Sequence, residues 1–501
     1  MKKLLSLFCL ASVACMAQFR TSPTAIIIDS VTVDLNEPVK AKSLSGFLGG
    51  LDNPEYPDRD AIRALQPKLM RTSHPAHYPE AYSLAGRVHF IVSDEWKQLD
   101  NNKDGKIDLF DPKPYLNTTY KSYLDSLFEW GYNDGNIRPG IVWECWNEPE
   151  ISNYSGWTLQ DFYETYKLTY TQLRASALPE TTLIAGPSFG VFSEETMKAF
   201  FDYCLSQNPP LEVNVVTWHE IWYPADSKPF TKIKAHVDYV RQNFMNNPAY
   251  AALKIQSIEL NEIIWPGDKN RPAEIAGYLG NLEAAGVDYA SRSCTHHTAN
   301  LDDQGNVLQQ GGIPPCELGS CSDTSFNDLF TIWYDSENYV NNSNTCNPLP
   351  GNEHQTKSAW WVHKLYADGV PYRVKSNSTE PRSTVIASNK IKPYPDTQPR
   401  NTAQVLVGYS NSWPQNNLPD GGIYKMRING LSAVGAGHLF KVKICKVPFN
   451  AADSVNGLED NDPLLNPVLI STAYYAADDQ DGINITFSAE TDALYQIAVS
   501  N

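Results

Sequence analysis

Between Ser43 and Gly369 the chain alternates short apolar runs with amphipathic stretches, eight times over. This rhythm constrains the fold more than any other feature. Near-continuous apolar runs are strands buried on both faces, and a helix between successive strands makes them parallel. The runs are Leu44–Leu51, Lys68–Ser73, Val88–Ser93, Gly140–Trp146, Thr182–Ala185, Val213–Trp218, Ile255–Leu260 and Asp288–Ser293. Helices are expected over Tyr120–Trp130, Lys232–Phe244 and Ala273–Ala284. Another carries the stripe Phe162, Tyr166, Tyr170 and Leu173, with Thr158 and Asp161 as its capping pair. Ser358–Asp368 reads as a closing helix ended by Gly369. Eight βα units in order predict an α/β fold, a (β/α)8 TIM barrel over residues 43–370.

Past Gly369 the pattern changes to short strands between Pro, Gly, Asn and Asp turns. They are Thr384–Ser388, Ala403–Tyr409, Ile423–Ile428, Phe440–Ile444, Leu469–Ser471, Ile483–Phe487 and Ala493–Val499. A C-terminal β-sandwich over 371–501 is expected. Ala25–Asp34 also reads as strand, ahead of the barrel.

Residues 1–17 read as a signal peptide: Lys2-Lys3, an apolar run Leu4–Val13, then small residues to Ala17. Secretion or export to the periplasm follows. Cys15 raises a lipoprotein alternative, but Ser12 three residues before it suits a lipobox poorly. No later stretch is long and apolar enough to span a bilayer. A net charge of −17 without a basic stripe argues against nucleic acid as partner. In an oxidising compartment Cys294, Cys316, Cys321 and Cys346 are candidates for one or two disulfides of open pairing, while Cys145 reads as a buried thiol.

Chemistry concentrates at the end of the fourth run, Trp143-Glu144-Cys145-Trp146-Asn147-Glu148-Pro149. Glu148 can offer a proton, Asn147 can bind a hydroxyl, and Pro149 stiffens the exit turn. This motif in this strand context resembles the acid/base motif of the clan of retaining glycoside hydrolases built on (β/α)8 barrels. Within the clan it is most similar to glycoside hydrolase family 39, the β-xylosidase and α-iduronidase group. The resemblance implies that residues 18–42 join the sandwich. It also implies a nucleophile at the end of the seventh strand, where Ser257-Ile258-Glu259-Leu260-Asn261-Glu262 holds two glutamates. Opposite parity keeps Glu259 and Glu262 from both pointing inward in a regular strand. Glu262, at the catalytic edge, is the favoured nucleophile, and Glu259 remains the alternative. Glu144, one layer deeper than Glu148, reads as a buried carboxylate held by a cation, with Arg71 the plausible partner of Glu144 or Glu262.

By the same resemblance His219 and Tyr223 follow the sixth strand as groups that orient the nucleophile and bind substrate. Trp222 and Trp265 are candidate sugar platforms, and Glu220 is expected to point away. Asn147, Arg71, His219, Trp222, Tyr223 and Trp265 are therefore the expected substrate-binding set. His296 and His297 are candidates for the rim.

A separate register, Asp100, Asn102, Asp104, the Lys106 carbonyl, Asp108 and Asp111, with Gly105 at the tight turn, matches a calcium loop. It implies one structural Ca²⁺ and no cofactor for catalysis. The expected activity is retaining hydrolysis of oligo- or polysaccharides of plant or algal glycans, β-xylosides first. The alternatives are endo-action on an anionic polysaccharide, and a non-catalytic carbohydrate-binding protein on the same fold.

Overall fold

The computed structural model describes residues 27–49, 51, 58–93, 113–133, 136–150, 157–221, 229–264, 271–292, 329, 356–380, 382–410, 421–449 and 464–501. In chain order the strands begin with β1 (Ile27–Pro38), β2 (Gly46–Leu48), β3 (Leu69–Thr72) and β4 (Val88–Ile91). A small hairpin, β5 (Tyr132–Asn133) and β6 (Asn136–Ile137), precedes β7 (Ile141–Glu144), β8 (Leu183–Phe189) and β9 (Val215–Glu220). Then come β10 (Ser257–Ile263) and β11 (Tyr289–Arg292). The strands β2, β3, β4, β7, β8, β9, β10 and β11 close a barrel in that order, all parallel. These are the eight runs read from the sequence.

Their core follows from residue choice. Trp143 on β7 packs its ring 5.4 Å from Phe90, 5.0 Å from Phe128 and 6.3 Å from Trp130, sealing the layer between barrel and helices. Each such ring removes enough apolar surface from water to contribute on the order of 2–3 kcal/mol. The helix Leu159–Ala175 starts at Thr158 with the expected capping box: Thr158 accepts from the Asp161 N–H, and Asp161 answers the Thr158 N–H.

Two boundaries differ for physical reasons. Gly186-Pro187-Ser188 reads as a strand breaker, yet β8 runs on to Phe189 because a bulge between Pro187 and Phe189 absorbs the irregular residues. Gly369 is not a left-handed helix stop, since its φ is −96° and the chain continues into a tight turn at Val370–Tyr372. Glycine is required there by crowding. A Cβ would lie 2.4 Å from Ser388 Oγ and 2.5 Å from Arg373 Nη1.

The C-terminal strands are β12 (Arg373–Ser378), β13 (Ser383–Ser388), β14 (Thr402–Tyr409), β15 (Gly421–Asn429), β16 (Leu439–Val447), β17 (Val468–Ala476), β18 (Gly482–Glu490) and β19 (Leu494–Ser500). With β1 they make one hydrogen-bonded sheet, β17-β16-β19-β14-β13-β12-β1-β15-β18. The sheet folds over itself like a sandwich. Phe487 on the outermost β18 meets Tyr495 on the distant β19 at 5.4 Å, and Ser383 on β13 bonds the Tyr424 hydroxyl on β15 at 2.9 Å. β12, polar but for the buried Val374 (Arg-Val-Lys-Ser-Asn-Ser), carries little strand signal and is ordered by antiparallel pairing with β1. β1 itself lies between β12 and β15, with Val31, Val33 and Leu35 buried.

The sheet packs on the barrel through the helix Pro272–Ala285 and the closing helix Ser358–Gly369. Small residues permit close approach: a Cβ on Gly408 would stand 2.9 Å from Ala273. Arg373 ties the two parts, bonding Glu283 at 3.1 Å and the Tyr366 carbonyl at 3.0 Å. Among the described residues no helix is long and apolar enough to cross a membrane.

Candidate active site

A ladder of alternating charge fills the barrel axis, and its steps can be built from the bottom. Glu259, fully buried on β10, accepts from Arg87 Nε at 2.9 Å and Nη2 at 2.5 Å, from His89 Nε2 at 2.7 Å and from Ser257 Oγ at 2.6 Å. Burial pushes this carboxyl up, but His89 and Arg87 outweigh it and hold it down at about 2. One step higher, Glu144 on β7 receives Arg71 side-on, Nε at 3.0 Å and Nη2 at 2.5 Å. His89 Nδ1 stands 3.4 Å from Glu144, close enough for charge attraction though not aligned as a hydrogen bond. Burial raises the Glu144 carboxyl, and Arg71 with His89 reverses that, leaving it well below the usual carboxylate range. Arg71 then reaches upward, Nη1 to Glu262 at 2.6 Å and Nη2 to Asn147 Oδ1 at 2.7 Å.

Three carboxylates, Glu259, Glu144 and Glu262, thus face two guanidinium groups. The charge balances when His89 carries its second proton. Burial works against that proton, but the carboxylates of Glu144 and Glu259 prevail and raise the imidazole above its ordinary value. A group raised on folding stabilises the protein fully below its unfolded value, ~6.5, and the contribution disappears as pH rises through the folded value. Urea unfolding should therefore show wild type losing stability as pH rises from ~6.5 through the folded value of His89, while His89→Gln loses less over the same window. Parallel curves for the two proteins would refute a protonated His89. At the acid end Glu259 acts oppositely: its contribution is lost as pH falls from ~4.3 toward about 2.

β10 corrects the parity argument. Its register slips between Leu260 and Glu262 against β9 and between Leu260 and Ile263 against β11, so Asn261 is an extra residue in a bulge. Glu259 and Glu262 therefore both point into the barrel, Glu259 in the foundation and Glu262 at the mouth, 4 % exposed. Arg71 is the partner of Glu144 and Glu262 together.

Glu148 crowns the ladder. Its side chain is 24 % exposed, its N–H donates to the Ser188 carbonyl at 3.0 Å, and its φ of 50° is left-handed. Ser188 and Ile264, at the ends of β8 and β10, share this unusual geometry with φ of 57° and 78°. The Asn147 N–H donates to Ser93 Oγ at 3.2 Å. Arg71 occupies the Asn147 carbonyl oxygen, so the amide offers a ligand its NH₂.

His219, at the end of β9, places Nδ1 3.0 Å from Glu148 Oε1. It therefore touches Glu148, where the resemblance implied a role in orienting the nucleophile. Burial lowers its proton affinity, but the field of Glu262 and the bond to Glu148 raise it on balance. One oxygen from each of Glu148 and Glu262 and one ring nitrogen of His219 lie within 4.8 Å of one another. This donor set has the number and type to attract a divalent cation. Arg71 at 2.6 Å from Glu262 opposes it, because a fixed guanidinium already neutralises that carboxylate.

Glu220 points away from the axis, its Oε1 holding Trp218 Nε1 at 2.6 Å and facing His236 Nδ1 at 3.0 Å. Trp146 is fully buried and stacks on Trp157 at 4.9 Å, a support beneath the loop. Arg292 is buried with Nη1 3.5 Å from His363 Nε2 on the closing helix. Trp222, Tyr223, Trp265, His296 and His297 lie outside the described residues. So do Asp100, Asn102, Asp104, Lys106, Asp108 and Asp111, residues 1–17, and the four clustered cysteines. Among the described cysteines, Cys145, Cys204 and Cys445 are free. Glu150, absent from the sequence reading, belongs at this mouth: its Oε1 accepts the Val191 N–H at 2.7 Å and its Oε2 is buried without a hydrogen-bond partner among the described residues.

Comparison with known proteins gives a fold. No family model and no curated protein matches the chain. Among solved structures, N2152 from Neocallimastix frontalis superposes with a TM-score of 0.60 at 17 % identity, covering 95 % of this chain and 100 % of that one. The GH39 enzyme from Xanthomonas axonopodis pv. citri gives 0.57 at 12 % identity, with 96 % and 99 % covered. A monomeric beta-xylosidase from Caulobacter crescentus CB15 gives 0.54 at 10 % identity, with 94 % and 99 % covered. At such identities the likeness is one of architecture, barrel and sheet together.

Proposed function

We propose that this chain is a retaining glycoside hydrolase, most like family 39, in which Glu262 is the nucleophile and Glu148 the acid/base. One observation carries the reading. Two carboxyls, Glu148 on the loop after β7 and Glu262 on β10, meet at the barrel mouth with oxygens within 4.8 Å. Double displacement uses carboxyls ~5–5.5 Å apart, whereas inversion leaves ~6.5–9.5 Å for a water. In the first step a Glu262 oxygen attacks the anomeric carbon while Glu148 protonates the departing glycosidic oxygen. In the second Glu148 takes a proton from water, whose oxygen displaces Glu262. Arg71 holds the Glu262 carboxyl in position at 2.6 Å, and the Asn147 NH₂ is placed for a hydroxyl beside the reacting carbon.

The substrate we propose is neutral, β-xylosides first, with an oligo- or polysaccharide as the natural form. Of the cations that would argue for an anionic polysaccharide, Arg71 is paired with Glu144 and Glu262 and Arg292 is buried against the closing helix. Binding through the sheet alone has less support. The large exposed hydrophobics of β17 are Val468, Leu469, Ile470 and Tyr474, with no planar row of aromatics among the described residues. Proton NMR of the first-formed sugar from an aryl β-xyloside should show the β-anomer. The α-anomer first would exclude double displacement, and no cleavage across a panel of aryl glycosides would exclude the activity.

Secretion after cleavage at Ala17, a barrel over 43–370 and a structural Ca²⁺ on the Asp100–Asp111 loop complete the proposal. Ion binding to the folded state alone stabilises by mass action. Excess EDTA should lower the melting temperature and added calcium restore it. An unchanged melting curve, with no metal in the purified protein, would eliminate the site.

A further inference from the structure

Glu150 has no part in the two-carboxyl scheme, yet it is built into the same mouth. It lies two residues beyond Glu148, across Pro149, at the start of the loop after β7. Its Oε1 accepts the backbone N–H of Val191, which follows the end of β8, at 2.7 Å. One carboxyl thus ties together the loops after two neighbouring strands. The same loops are joined once more by the Glu148 N–H on the Ser188 carbonyl. Glu150 Oε2 is sealed from solvent and has no hydrogen-bond partner among the described residues. An ionised carboxylate with one bare buried oxygen is costly, whereas a protonated one is tolerated.

We propose that Glu150 is a positioning residue for the general acid, fixing Glu148 through the Val191 tether and setting, by its own ionisation, the pH at which Glu148 releases its proton. The inference rests on Glu148 being the acid/base. The side chains whose charge reaches Glu150 are His219, across the mouth on β9, and Glu148 on its own loop. Burial pushes the Glu150 carboxyl up to about 7, the Val191 N–H and its own backbone N–H pull it down in part, and His219 lowers and Glu148 raises it by smaller amounts. In acid Glu150 is neutral and leaves Glu148 alone. Near neutrality it ionises, and its negative charge makes the Glu148 proton harder to remove. The general acid therefore stays loaded to higher pH than it would without this neighbour.

Glu150→Gln isolates the charge, because the amide oxygen can still accept the Val191 N–H. The alkaline limb of kcat/KM should move to lower pH by about one unit. Glu150→Ala removes tether and charge together and should also lower the plateau. A purely structural role predicts the wild-type limb in Glu150→Gln, and that result overturns the proposal. Infrared difference spectra taken across pH give a reading that needs no substrate. Across neutral pH wild type should lose the carbonyl stretch of one more protonated carboxyl than Glu150→Gln does. If the chain cleaves no glycoside, the acid/base reading fails and the spectra still decide whether Glu150 ionises near neutrality. If no carboxyl ionises there, the proposal falls independently.

Discussion

Glu262→Ala should reduce turnover by on the order of 10⁴-fold or more, because it removes the atom that forms the covalent bond. Glu148→Ala should behave differently. Substrates with good leaving groups need little protonation, so glycosylation survives on them and the glycosyl-enzyme accumulates for want of a base. Azide, which needs no deprotonation, should then restore turnover and yield the β-glycosyl azide. The structure adds a control that separates chemistry from scaffold. Glu259 is held by Arg87, His89 and Ser257 at the foot of the ladder. Glu259→Gln should therefore lower stability while leaving the nucleophile in place. Full activity in Glu262→Ala with a dead, folded Glu259→Gln would reverse the assignment.

Arg71→Met should be the most damaging single change to the fold. The guanidinium is fully buried and serves Glu144, Glu262 and Asn147 at once. Without it, Glu144 and Glu262 are two buried carboxylates that have lost their guanidinium, with His89 left beside Glu144 and His219 beside Glu262. Breaking such a buried pair costs ~3–5 kcal/mol, dominated by the charge left unpaired. Arg71→Lys keeps the charge but not the fork, so one ammonium cannot reproduce the side-on grip on Glu144 and the reach to Glu262. It should fold with intermediate stability and reduced kcat. Adding Glu144→Gln to Arg71→Met should recover part of the loss, because it removes the carboxylate that the methionine strands. Urea unfolding checks the series. A loss below ~1 kcal/mol for Arg71→Met would mean that solvent reaches the ladder.

The rhythm of the barrel was legible because strands buried on both faces leave unbroken apolar runs. Glu148 was legible because its motif sits at a strand's end. Other parts depend on contacts between distant segments. No local signal marks Asn261 as a bulge residue, so the parity of Glu259 and Glu262 was misjudged for a strand that is not regular. The partner of Glu144 was visible as a need for a cation, while the sharing of Arg71 with Glu262 required β3, β7 and β10 to meet. Glu150 carries no motif of its own, and its bond to the Val191 N–H depends on the approach of the loop after β8. β12 has no hydrophobic alternation and owes its form to β1, more than three hundred residues earlier by sequence.

The left-handed residues at the barrel mouth bear on how this protein responds to selection for robustness. Glu148, Ser188 and Ile264 each sit in a backbone region that side chains resist, at ~1–3 kcal/mol apiece, and a β-branched residue such as Ile264 resists it most. Glycine relieves that conflict without moving the chain. A laboratory lineage propagated for heat tolerance should therefore collect glycine or asparagine at Ser188 and Ile264 early. Lineages propagated for turnover should keep the native pair, since a looser backbone on either side of the mouth lets Glu148 and Glu262 drift apart. The two pressures pull the same few positions in opposite directions, so resilience and speed trade against each other at the rim of this barrel.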